Sequence, residues 1–135
     1  MDPSEILEKA YNLFLISGII EDESDIDKEL EGLLIDRDYN NIAKTIIYTL
    51  MYTLNNDPAY RNIRQIYIND AIDLLYIIDR IGFDNERIMK KFVNLLYQFY
   101  SYSLQYKIKL IADKEKRESV KAKLDELIHI IQWEE

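Results

Sequence analysis

Residues 85–112 read NERIMKKFVNLLYQFYSYSLQYKIKLIA, and this stretch decides the fold. At 100° per residue, Ile88, Phe92, Leu95, Leu96, Phe99, Tyr102, Tyr106 and Leu110 fall on one side of a helix. Met89, Val93, Tyr100, Leu104 and Ile111 form a second apolar strip beside it. The polar strip that remains, Arg87, Lys91, Asn94, Gln98, Ser101, Gln105 and Lys109, is narrow and uncharged in its middle third. A helix this apolar is central to its fold or covered on two sides. The expectation is a long, largely buried helix over about 85–112, capped by Asp84.

The flanking segments keep the same period. Pro3 to about Ser17 reads as a helix with Asp2 as cap and an Ile6, Leu7, Ala10, Leu13, Phe14 stripe, stopped by Gly18. A second helix is expected over about Asp25–Ile35, with an acidic outer face. A third is expected over Tyr39–Leu54, capped by Asp38, with Ile42, Ala43, Ile46, Ile47, Leu50 and Leu54 inward and Tyr48 and Tyr52 outward. Pro58 to Ile81 reads as a fourth, with a stripe of Ile63, Ile66, Tyr67, Ala71, Leu74, Leu75, Ile78 and Ile81 and a candidate kink at Asn69. Gly82-Phe83 has the pattern of a Schellman ending. Lys114 to about Gln132 reads as the last helix, with a turn near Asp113 favoured over one continuous rod, which the absence of Gly or Pro between the two would also allow. Only three Gly and two Pro occur, and no linker or repeat is visible. Residues 1–135 are therefore expected to form one all-α domain, a bundle of five to six helices.

Composition narrows the chemistry. With 48% apolar residues the chain has material for a core, and 135 residues suffice to bury one without staples. No cysteine is present, which excludes disulfides, thiolate metal sites and cysteine nucleophiles. Apolar runs stay far short of the roughly 20 residues that span a bilayer. The acidic start, Met1-Asp2-Pro3, lacks the basic region of a signal peptide. A cytoplasmic protein is expected, in host cytoplasm or virion if the chain is viral. Abundant Ile, Tyr, Asp, Lys and Asn accompany AT-rich genomes, and point to an archaeal or viral source.

Charge is unevenly placed. Residues 1–38 hold twelve acids against three bases, whereas residues 87–123 hold ten bases against three acids, within a chain of net charge −8. The basic stretch 107–123, ending in Lys121 and Lys123, has tyrosines just upstream (Tyr97, Tyr100, Tyr102 and Tyr106), as a phosphate-binding and base-stacking stripe requires. Asp113, Glu115 and Glu118 interrupt it, as on an ordinary salt-bridged surface, and the overall acidity opposes a nucleic-acid role.

Two carboxylate patterns invite metal chemistry. Glu5, Glu8, Asp22 and Asp25 have the number of acids that a MazG-like, Mg²⁺-dependent nucleotide pyrophosphohydrolase places on two helices. The second pair lacks the Glu-x-x-Asp spacing, and acids at helix starts are expected in any case. Glu126 and His129 have the Glu-x-x-His spacing of di-iron bundles, but the chain holds a single histidine, so such a site would need a symmetric dimer. HEPN-type ribonucleases need an Arg closely followed by His, and Arg117 and His129 are too far apart. No glycine-rich phosphate loop or serine elbow occurs. No catalytic residue, cofactor or metal ligand is assigned.

The favoured expectation is a non-enzymatic interaction or assembly protein that self-associates, most simply as a homodimer. Its two supports are the width of the apolar surface on the 85–112 helix and the opposite charge of the two ends of the chain. Tyr48, Met51, Tyr52, Tyr97, Tyr100, Lys121 and Lys123 are its candidate contact residues.

Overall fold

The computed structural model describes residues 2–17, 35–119, 121 and 122. The expected second helix up to residue 34, Gly18, Asp22, Asp25, Lys123 and the Glu126–His129 pair lie outside those residues. Among the described residues the fold is all-α, with four long helices: α1 (Pro3–Ser17), α2 (Tyr39–Asn56), α3 (Arg64–Ile81) and α4 (Glu86–Lys109). A single 3₁₀ turn, Pro58–Tyr60, lies between α2 and α3. Among the described residues, no helix is long and apolar enough to cross a membrane.

Local chemistry sets the helix ends. The Asp2 carboxylate accepts from the Ser4 N–H, and the Asp38 carboxylate accepts from the Asn41 N–H and from its side-chain amide. At α4 the cap is Asn85 rather than Asp84: its Oδ1 accepts from the N–H groups of Arg87 and Ile88. α4 stops at Lys109, and Asp113 caps a further helical segment at 114–119 by accepting from the N–H groups of Glu115 and Lys116. The turn expected near Asp113 is therefore present.

The stretch 58–81 is not one helix. Asp57 caps the 3₁₀ turn, Pro58 occupies its first position, and the α-helix begins only at Arg64. The break falls at 61–63 and not at Asn69, because Tyr60 turns inward there. Its ring stacks on Phe99 of α4 at 5.1 Å, and the Tyr102 hydroxyl donates to the Ala59 carbonyl. Arg64 then donates from Nε to the Leu54 carbonyl, closing the end of α2.

The turn after α3 also departs from expectation. Gly82 has φ 102° and ψ 151°, a conformation essentially reserved for glycine but not the left-handed one of a Schellman motif. The Phe83 N–H is consequently not spent on the helix that precedes it. It donates to Asn40 Oδ1 at 2.7 Å, fastening the α3–α4 turn to the first turn of α2.

The helices close a ring around one core, α1 packing on α2 and α4, and α3 packing on the same two. All six expected inward residues of α2 are buried. In α3 only Ala71, Leu74 and Ile78 are fully buried, while Ile66 and Ile81 are exposed. Ile66 lies about 110° around the helix from that stripe, and Ile81 is the last residue before the turn. Between residues 88 and 100 both apolar strips of α4 are covered within the single chain: Ile88, Phe92, Leu95, Leu96 and Phe99 of the first, and Met89, Val93 and Tyr100 of the second. Over residues 88–100 this burial needs no second copy, whereas Leu110 at the end of the first strip is 68% exposed.

Candidate interaction surface

α2 has 18 residues and one formal charge, Lys44, in a chain that is 31% charged. Its outer face carries Asn41, Lys44, Thr45, Tyr48, Tyr52 and Asn55 in successive turns. Tyr48 is 57% exposed and Tyr52 68%, one turn apart, while Met51 is half-buried against the core beside them. The lone charge is neutralised: the Lys44 ammonium pairs with Asp79 of α3. That hydrogen bond holds the Lys44 pKa above the ordinary lysine value, against partial desolvation, with Asp79, Tyr48 and Asp38 adding to the rise electrostatically.

The polar groups of this face are largely satisfied within the helix. Thr45 and Thr49 each donate their hydroxyl to the carbonyl four residues earlier, as the buried Thr53 also does, and the Asn56 side-chain amide donates to the Tyr52 carbonyl. Such back-bonding leaves threonine methyls and tyrosine rings as the contact surface, so water is removed from it without stranding those donors.

The Lys44–Asp79 pair also sets which part of α3 borders this face. Ile72 lies two helical turns before Asp79 on the same side of α3 and is 49% exposed. Tyr76 is 62% exposed with the Arg80 guanidinium 5.5 Å from its ring centroid. Tyr48, Tyr52, Ile72 and Tyr76 thus belong to one continuous side of the molecule, built on α2 and the adjoining edge of α3.

The other candidates fare differently. Tyr100, named both in the second apolar strip and as a candidate contact, is only 1% exposed and meets Phe99 edge-on in the core, so it leaves the contact set. Tyr97 is exposed at the margin of α4, and Lys121 is exposed on the last described segment. Of the tyrosines upstream of the basic stretch, Tyr100 and Tyr102 are tied into the core and the 3₁₀ turn, which removes them as stacking platforms. Glu5 and Glu8 are exposed on α1, and no three potential metal-binding side chains converge among the described residues.

A cleft of about 260 Å³ opens between α3 and α4. Leu74, Ile77 and Leu95 form its floor, and Asp70, Asp73, Lys91, Asn94 and Gln98 its rim. It falls below the roughly 300–1,000 Å³ of ligand pockets, and all five rim residues are exposed. Burial raises the Tyr67 pKa nearby, with Tyr102 and Asp70 contributing. Its hydroxyl donates to the Gln98 carbonyl, a bond that ties α3 to α4. No protein-family model, curated protein or solved structure matches the chain.

Proposed function

We propose that this protein is a non-enzymatic protein–protein interaction or assembly module that engages its partner through the outer face of α2 and the adjoining edge of α3. The observation that carries the reading is the charge depletion of α2: one ion-paired lysine on an 18-residue helix whose outer side is exposed tyrosine and asparagine with half-buried threonine between them. Loss of charge and enrichment in tyrosine distinguish interface centres from ordinary surface. Tyrosine adds contact area at small entropic cost and keeps a hydroxyl for a directed hydrogen bond. The basic stretch 107–123 and the carboxylates Glu5 and Glu8 gain no comparable support.

The test is site-specific photo-crosslinking in the cells of origin. A photoreactive phenylalanine analogue at position 52 is expected to form a discrete adduct with a polypeptide, whether another protein or a second copy. The same analogue at Arg87, on the charged side of α4, is expected to form none. No adduct from position 52, or equal adducts from both positions, refutes the reading.

A further inference from the structure

We infer that the partner is a second copy of this chain, docked about a two-fold axis that sets α2 antiparallel to its twin and places Tyr48 of each copy beside Tyr52 of the other. The inference rests on the interaction reading above and adds the identity and register of the partner.

A two-fold contact uses the same patch twice, so the patch must be complementary to itself. With a net charge of −8, two copies repel as they approach, and a face low in unpaired charge opposes their contact least. The described part of α1 would set Glu5 and Glu8 against their own copies, and α4 would set Arg87 and Lys91 against theirs. α2 avoids this. An axis passing near residue 50 brings residue 44 opposite residue 56, so the one charge on the helix meets an amide. The Asn56 side chain spends its N–H on the Tyr52 carbonyl, which leaves its own oxygen open to the Lys44 ammonium. At the centre the same register packs four tyrosine rings together, with threonine methyls around them.

The size of the patch is consistent with a dimer. At roughly 200 Å² per fully exposed ring, Tyr48, Tyr52 and Tyr76 together offer about 370 Å² given their exposures. That is nearly half of the roughly 800 Å² each partner contributes to a stable interface, before Ile72 and the helix backbone are counted.

Light scattering and sedimentation of the full chain, up to several hundred micromolar, test this. The expected mass at high concentration is twice the 16.2 kDa of one chain. Two double variants probe the register: Tyr48→Lys with Tyr52→Lys, and Tyr48→Glu with Tyr52→Glu. Both positions are exposed, so each variant is expected to keep wild-type helicity by circular dichroism while its self-affinity falls roughly 100-fold or more. An equimolar mixture of the two is expected to dimerise again, because each lysine then faces a glutamate. A wild-type chain that stays monomeric throughout overturns the inference, as does either double variant retaining wild-type mass. A mixture that stays monomeric overturns the Tyr48–Tyr52 pairing. A monomer that still cross-links from position 52 to a different protein overturns self-pairing alone, whereas absence of any adduct removes the interaction reading as well.

Discussion

The bond from the Phe83 N–H to Asn40 Oδ1 joins two parts of the chain 43 residues apart, and its removal has a calculable cost. In Asn40→Ala the Phe83 N–H loses its acceptor, and Gly82 cannot supply one from its unusual backbone conformation. Phe83 itself is fully buried, with its ring edge-on to Phe92 at 5.0 Å, so the turn cannot swing out to water without pulling that ring from the core. A partly buried, short bond of this kind is worth about 1–2 kcal/mol. For a chain of 135 residues that lowers the melting temperature by about 4–7 °C, and the urea midpoint by about 0.5–1 M at a slope near 2 kcal/mol/M. Asn40→Asp keeps an acceptor in place, in the first turn of α2 where a negative charge is favourable, and is expected to retain most of the stability. Amide exchange supplies the local readout: the Phe83 amide should lose protection in the alanine variant and keep it in the aspartate one. A loss below about 0.3 kcal/mol for Asn40→Ala, or equal losses for both variants, refutes the assignment of this bond as a fastening point.

Phe99 is buried between Tyr60, Tyr67 and Tyr100, with ring centroids at 5.1, 6.4 and 5.3 Å. Phe99→Ala should cost about 3–5 kcal/mol in denaturant unfolding, enough to leave little folded protein at elevated temperature. The Lys44–Asp79 pair should show in alkaline titration. The folded-state lysine pKa is raised, so the pair's contribution is complete below the unfolded-state value and is lost as pH climbs through the folded-state one. The stability difference between wild type and Lys44→Gln is therefore expected to be flat through neutral pH and to shrink above roughly pH 10.4. Tyr67 titrates with the same sign, but it is common to both chains and cancels in the difference.

Helix positions were legible wherever local chemistry and the apolar period agreed. α1 has the expected bounds, and α2 runs two residues past Leu54 because nothing before Asp57 opposes the helix. Departures occur where a contact distant in sequence won. The 58–63 break follows from the docking of Tyr60 on Phe99, and the non-Schellman turn at Gly82 follows from an acceptor on Asn40. Neither partner is visible from a window of ten or fifteen residues. The exposure of Ile66 and Ile81 has a similar origin: a stripe on a helix wheel says what shares a side, not how far along the helix its neighbours extend.

The surface was less legible than the core, and the reason bears on the dimer. A wide apolar circumference on the 85–112 helix suggested that a second copy must cover it, yet Met89, Val93 and Tyr100 are covered by the chain's own helices. Hydrophobicity marks what needs covering and says nothing of what does the covering. Charge depletion is the better guide to an external partner, because an exposed helix with no contact to make has no need to shed charge from its outer side. On α2 the unexplained quantity is therefore not the tyrosines, which occur singly on many surfaces, but the missing lysines and glutamates between them. Threonine hydroxyls turned onto their own helix and a lysine neutralised by Asp79 are what remains when a surface is arranged to lose water. In the proposed pairing that water is displaced by an identical surface.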